Sequence, residues 1–254
     1  DRGNYQLVTD DFRKANGYWY YFNAGSGSIA QGLTWVPQRN TWNFYDQGTY
    51  QLVTNDYRQA NGYSYYFKKD GSIASGWTYL NNDLVYFDPQ SYQKKVQLSD
   101  FGSLNSTQSD FLMSVIPGAL AGWEQYGVLP SVTIAQAILE SAWGQSLLAT
   151  EAHNLFGIKG SYNGNSVTMP TQEEYGGQYV TINAAFRAYA NNSESIQDHG
   201  AFLYYNSRYN NLLGDSNYVS VANKLRNDGY ATASTYATSL INLVQIYGLD
   251  ILDK

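Results

Sequence analysis

The feature that most limits what this chain can become is an internal repeat over residues 1–88. Tyr5-Gln-Leu-Val-Thr9 returns as Tyr50-Gln-Leu-Val-Thr54, and Ala15-Asn-Gly-Tyr18 as Ala60-Asn-Gly-Tyr63. Tyr20-Tyr-Phe22 returns as Tyr65-Tyr-Phe67 and Gly27-Ser-Ile-Ala30 as Gly71-Ser-Ile-Ala74. The offset is about 45 residues, with a small deletion late in the second copy. Asn16-Gly17 and Asn61-Gly62 are strong hairpin signals, because a two-residue type I′ turn needs positive φ at both central positions. Each is followed by an aromatic strand, a Gly-Ser turn and a second aromatic strand. A short hairpin cannot bury its aromatics alone, so the expected architecture is an all-β solenoid of hairpins stacked on their neighbours. Tyr21, Phe22, Tyr66, Phe67, Tyr86 and Phe87 then form its hydrophobic ladder. Trp19, Trp35, Trp42, Trp77 and Tyr79 are the candidates for rings left exposed to stack on a ligand.

Composition narrows the ligand. The 254 residues include 25 tyrosines and are 16% aromatic against only 14% charged, a surface suited to sugars, whose apolar faces stack on rings. A net charge of −6 without any Lys/Arg run argues against nucleic acid or an anionic membrane as partner. No apolar stretch approaches the roughly 20 residues that span a bilayer. With no cysteine and two scattered histidines, neither disulfides nor a metal centre is expected, and no cofactor is implied. The chain shows no initiator Met and no signal peptide, which reads as an internal fragment or a processed form. Residues 89–106 lack periodicity and read as a connector.

From residue 107 to residue 254 the pattern becomes mostly helical. One helix is expected from about Thr107 to Tyr126, with Pro117-Gly118 implying a kink or break. The next spans Ser131 to Ser146, with Ser131 as cap and Gly144 closing it. Ile134, Ala135, Ile138, Leu139 and Ala142 share a core-facing stripe, and Glu140 lies opposite, beside Thr133, Gln136 and Trp143. A carboxylate in the last turn meets the negative end of the helix dipole, at a cost on the order of 0.3–1 kcal/mol, and its pKa should rise. A raised carboxyl pKa beside an indole suits a general acid for glycoside cleavage, although most last-turn glutamates are solvated, tolerated charges. Alternation at Val167–Met169 and Tyr179–Ile182 around Gly176-Gly177 predicts a β-hairpin inserted among the helices. Ser193, Ser216 and Ser234 are expected to cap three further helices, with Gly229 and Gly248 closing the last two.

Glu140-Ser-Ala-Trp-Gly-Gln-Ser146 and Asn154-Leu-Phe-Gly-Ile-Lys-Gly160 resemble the glucosaminidase family of bacterial cell-wall hydrolases, glycoside hydrolase family 73. The resemblance continues through Phe186-Arg-Ala-Tyr189, Ser195-Ile-Gln-Asp-His199 and Gly229-Tyr-Ala-Thr232, covering roughly residues 107–250. It implies a mainly α, lysozyme-like catalytic domain and an endo-β-N-acetylglucosaminidase that cuts the GlcNAc-β-1,4-MurNAc bond of peptidoglycan. Glu140 becomes the general acid. The family's Thr-x-Glu stretch, matched to Met169-Pro-Thr-Gln-Glu173, selects Glu173 as the second catalytic carboxylate. Gly229-Tyr-Ala-Thr-Ala-Ser-Thr-Tyr236-Ala resembles the family's Gly-Tyr-Ala-Thr-Asp-Pro-x-Tyr-Ala, which implicates Tyr236, with Tyr230 near substrate; Ala233-Ser234 departs from the usual Asp-Pro. Trp143, Asn154, Phe156, Lys159 and Tyr189 are the remaining substrate-binding candidates, and His199 reads as structural.

The repeats resemble the wall- or glucan-binding repeats of Gram-positive surface proteins, implying a secreted, wall-associated protein whose repeats hold a wall polymer or glucan. Retaining, inverting and substrate-assisted mechanisms all remain open at this point. So do a muramidase or lytic transglycosylase on the same scaffold and a non-catalytic adhesin.

Overall fold

A computed structural model describes residues 7–175 and 178–254, with the side chains of residues 173–175 and 179 outside that description. The chain divides into two compact units, with the boundary in sequence between Gln97 and Leu98.

The first unit is built of antiparallel β-hairpins. Strands β1 (Asp11–Ala15) and β2 (Tyr18–Phe22) pair, as do β3 (Gly32–Val36) and β4 (Thr41–Tyr45). So do β5 (Asp56–Ala60) and β6 (Tyr63–Phe67), and β7 (Gly76–Leu80) and β8 (Asp83–Phe87). Asn16-Gly17 has φ of 51° and 85° and Asn61-Gly62 of 51° and 83°, the left-handed pair that the turn requires. Connecting segments stitch the hairpins together: the Leu52 amide donates to the Trp19 carbonyl and the Ile73 amide to the Trp42 carbonyl, each at 3.1 Å. Burial follows the stitching. Tyr21, Val36 and Tyr45 pack with Ala30, Phe12 and Leu52, while Phe44, Val53, Tyr65, Phe67 and Ile73 form a second cluster and Ala74, Val85 and Phe87 a third. Phe22 and Tyr66, expected in the ladder, are only half-buried.

The stretch expected as a connector is structured. Lys94–Gln97 forms β9 against β8 and buries Val96. Leu98–Asp100 is a short 3-10 turn, Phe101 is buried, and the Gly102 amide donates to the Tyr247 carbonyl at 3.1 Å. A four-residue strand with one inward valine leaves no period to detect.

The second unit comprises α1 (Ser106–Tyr126), α2 (Pro130–Ser141), α3 (Leu147–Ala152), α4 (Asn192–Tyr205), α5 (Tyr218–Asn227) and α6 (Tyr236–Tyr247), with β10 (Ser166–Tyr175) antiparallel to β11 (Gln178–Arg187) between α3 and α4. The expected turn at Gly176-Gly177 lies outside the described residues. Pro117 does not break α1; the helix runs through it, opened by an Asn105–Gln108 capping box. At Gly118 a Cβ would sit 2.7 Å from the Ser193 carbonyl oxygen, so the missing side chain lets α4 approach closely.

Helix α2 departs most from expectation. Every residue from Pro130 to Ile138 is buried, including Thr133 and Gln136, which the sequence placed on a polar face. It is a central helix, covered on all sides. Only its last turn emerges: Leu139, expected in the core, is 40% exposed, and Glu140 follows it into solvent. Ser131 is not the cap. Pro130 opens the helix, and the Asp253 carboxylate accepts from the Ser131 amide at 3.0 Å and from its hydroxyl at 2.6 Å. The caps of α4 and α5 likewise fall to Asn191 and Asn217 rather than Ser193 and Ser216, the Asn191 side chain accepting from the Glu194 amide and the Asn217 side chain from the Ser220 amide. Helix α6 starts after Thr235 without a side-chain cap, and Gly248 closes it at φ 64°.

Candidate active site

The end of α2 is a tight reversal that fixes Glu140. Ala142, Trp143 and Gly144 take consecutive left-handed conformations, with φ of 50°, 61° and 71°. Two of the three are not glycine, a strained arrangement that surrounding contacts must hold. The buried Ser141 supplies one such contact: its hydroxyl donates to the Ala137 carbonyl at 2.5 Å and accepts from the Gly144 amide at 2.8 Å. A Cβ on Gly144 would meet the Phe111 ring at 2.9 Å, which excludes any larger residue. This turn also corrects two readings. Ala142 leaves the core stripe because the helix has ended. Trp143 sets its indole edge-on to Phe111 at 5.7 Å and to Tyr247 at 4.8 Å.

Glu140 opens into a pocket of about 470 Å³ that Phe156, Lys159, Arg187, Tyr209 and Tyr230 also line. Its carboxyl is held from behind. The Tyr236 hydroxyl, at the start of α6, donates to Glu140 Oε1 at 3.0 Å, and Gln136 Nε2, one turn back on α2, donates to the Tyr236 oxygen at 3.0 Å. Protein packed around the carboxyl raises its pKa above the ordinary glutamate value, and the Tyr236 bond opposes that rise. Solvent reaches the group through the pocket mouth, so it is exposed and poorly hydrated at once. Tyr230 stacks on Tyr236 with ring centroids 5.8 Å apart. Behind Tyr230, His199 Nε2 and the Tyr230 hydroxyl are 3.1 Å apart, and the Phe156 ring lies flat on the imidazole at 3.9 Å. Complete burial pushes the His199 pKa down to about 3, so the ring is neutral and its role is to hold two walls of the pocket.

Of the residues chosen from sequence, Glu140, Phe156, Lys159 and Tyr230 share this pocket, and Tyr236 joins through its hydrogen bond. Two others stand behind the wall. Asn154 is 1% exposed, and its amide nitrogen donates to the Ile158 and Arg187 carbonyls at 2.9 Å each, so its side chain is committed to shaping the loop. Tyr189 is buried and donates to Asp198 Oδ2 at 2.7 Å, the same oxygen that Arg187 Nη1 approaches at 2.6 Å. Glu173 stands opposite Val180 in the β10–β11 register, with its side chain outside the described residues. Arg187, Phe202 and Tyr209 line the pocket without having been singled out. Arg187 lies inside the Phe186–Tyr189 stretch quoted for the resemblance, whereas Phe202 and Tyr209 are brought in by the course of α4 and the 3-10 turn after it. Among the described residues no cluster of three His, Asp or Glu side chains is placed to hold a metal ion.

In the repeat unit Trp19, Trp35 and Tyr79 are exposed. Trp42 and Trp77 are only half-buried, Trp42 edge-on to Trp35 at 5.6 Å and Trp77 against Tyr86 at 5.2 Å. Of these five rings Trp19 lines a concavity of about 390 Å³, with Phe12, Leu52, Gln38, Arg39 and Asp70.

The sequence model of the glucosaminidase family, described as mannosyl-glycoprotein endo-beta-N-acetylglucosaminidase, matches residues 116–249, more than half of the chain. The chain belongs to the glucosaminidase family. This glycoside hydrolase domain is 41% identical over 166 residues to the exo-glucosaminidase LytG of Bacillus subtilis, an alignment covering 63% of this chain and 59% of the relative. It is 35% identical over 150 residues to the peptidoglycan hydrolase FlgJ of Pseudomonas aeruginosa, covering 56% and 38% respectively. The crystal structure of the catalytic domain of the autolysin Auto from Listeria monocytogenes superposes with a TM-score of 0.53 at 38% identity, covering 59% of this chain and 89% of that domain. The glucosaminidase chain thus spans less than two thirds of the length of these two full-length relatives.

Proposed function

We propose that the protein is a peptidoglycan hydrolase, an endo-β-N-acetylglucosaminidase that cuts the GlcNAc-β-1,4-MurNAc bond with Glu140 as general acid. The observation that carries this reading is the carboxyl of Glu140 at the mouth of the pocket, with its pKa raised and one oxygen held by Tyr236. A carboxyl with a raised pKa holds its proton to higher pH than an ordinary glutamate and can give it to the leaving oxygen as the sugar develops oxocarbenium character. Phe156 and Tyr230 offer faces for sugar rings, and Lys159 and Arg187 suit the carboxylates that peptidoglycan stem peptides carry. Glu173 on β10 is the partner carboxylate in this reading, whether it activates water, attacks the sugar or orients the N-acetyl group. The name of FlgJ, a peptidoglycan hydrolase, supports the substrate class, and that of LytG, an exo-glucosaminidase, supports the glucosaminidase reaction.

The repeat unit completes the proposal. Its hairpins form a short solenoid whose exposed rings, Trp19 and Tyr79 foremost, stack on wall polymer or glucan and keep the enzyme on its polymeric substrate. A secreted, wall-associated protein of Gram-positive type follows from that arrangement. The second unit carries the inserted hairpin on a lysozyme-like helical scaffold. Among the described residues no helix is long and apolar enough to cross a membrane.

The test is Glu140→Gln in the full chain, assayed by loss of turbidity of purified walls. Lysis should fall by roughly 10²–10⁴-fold while wall binding persists; retained lysis sinks the acid assignment. The same readout on the unaltered chain decides against the non-catalytic adhesin.

A further inference from the structure

Gln136 is fully buried in the middle of α2, four residues and one helical turn before Glu140. A buried amide is costly unless its groups are satisfied. Its nitrogen is used, donating to the Tyr236 oxygen at 3.0 Å, but Oε1 is buried without a partner. A core position on a central helix would be filled more cheaply by Leu or Met. The polar group is therefore placed for what its nitrogen does.

A tyrosine hydroxyl has one hydrogen and can either donate to a carboxyl or accept from it. With an N–H from Gln136 pointing at its oxygen, the Tyr236 hydrogen is directed at Glu140 Oε1. A protonated Glu140 then favours carrying its own hydrogen on Oε2, because the carbonyl oxygen is the better acceptor for the Tyr236 hydroxyl.

We infer that Gln136 is a positioning residue for proton delivery: by donating to Tyr236 it keeps the acid proton of Glu140 on Oε2, the oxygen left for the substrate. This rests on Glu140 being the acid. In the protonating step the Oε2–H bond breaks, the proton passes to the glycosidic oxygen, and the C1–O electron pair leaves with that oxygen. The carboxylate that results is the form Tyr236 already donates to, so no hydroxyl has to turn during the reaction. Without the Gln136 amide, Tyr236 is free to accept from Glu140, and the proton is stored on the side away from substrate.

The titratable groups around Glu140 are Tyr236 and Tyr230 behind it and Lys159, Arg187 and Tyr209 across the pocket. The experiment measures kcat and KM against pH on purified walls for the full chain and for Gln136→Met, with Gln136→Leu as a second variant if the first does not melt cooperatively. The expected result is a roughly tenfold fall in kcat with KM unchanged and a basic limb moved to higher pH, because the neutral acid gains a hydrogen-bond acceptor and the carboxylate loses a fixed donor. A packing defect alone lowers the folded fraction and leaves the limb where it was, and that result overturns the inference. In a Tyr236→Phe background, Gln136→Met should move the limb no further; an additional shift shows that Gln136 does not act through Tyr236 and also overturns it. Glu140→Gln separates the two levels. If it retains activity, the acid assignment falls and this inference with it. If it is inactive while the Gln136 variants keep their limb, the inference alone fails.

Discussion

The Tyr236 hydroxyl and Glu140 Oε1, 96 positions apart in sequence, are 3.0 Å apart at the junction of α2 and α6. The bond couples the only emerging turn of a buried helix to the first residue of the helix packed against it. Charge on Glu140 is stabilised by this donor and disfavoured by the protein around it, and burial is the larger effect. Tyr236→Phe removes the donor. The Glu140 pKa should therefore rise further and the basic limb of the pH–rate profile move up, with kcat falling roughly tenfold. A pH titration of wall lysis checks this.

Glu140 should oppose stability wherever it is ionised. Its folded pKa lies above the unfolded value of 4.5, so the folded state binds the proton more tightly. Its favourable contribution is complete below about pH 4.5 and is lost as pH rises through the folded pKa. Glu140→Gln keeps an acceptor for Tyr236 and removes the ionisation. The variant should melt above the parent at neutral pH, with the gap closing toward pH 4.5, in scanning calorimetry.

His199 has the opposite sense. Its folded pKa of about 3 lies below the unfolded 6.5, so acid favours the unfolded chain. Stability linked to this ring is complete above pH 6.5 and falls by at most about 1.4 kcal/mol per pH unit on the way down to pH 3. His199→Gln should flatten that slope, and denaturant titrations at a series of pH values would show it.

The Asp253 carboxylate caps α2 from outside the helix, and the helix carries Glu140 on its far end. Asp253→Ala leaves the Ser131 amide and hydroxyl without their acceptor. The expected loss is about 1–2 kcal/mol in denaturant unfolding, as for other lost caps.

The sequence showed the hairpins and the glutamate because both rest on local chemistry. Asn-Gly can take the double positive φ, and Glu140 sits in a motif whose Ser141 and Gly144 are fixed by one turn. The polar faces were harder to see. Thr133 satisfies its own hydroxyl on the Leu129 carbonyl and Gln136 finds Tyr236, so both read as surface residues and sit in the core. Trp143 was placed beside Glu140 on the assumption of a continuing helix, and two left-handed residues set its indole against Phe111 and Tyr247. Arg187, Phe202 and Tyr209 reach the pocket from three separate segments, and no local pattern marks such convergence.

The glucosaminidase reaction cuts one kind of bond, and the product ends report it. Purified peptidoglycan digested with the protein, reduced with borohydride and analysed by mass spectrometry should yield reduced N-acetylglucosamine at the new ends. Reduced N-acetylmuramic acid, or an anhydro end that borohydride leaves untouched, would contradict the glucosaminidase assignment.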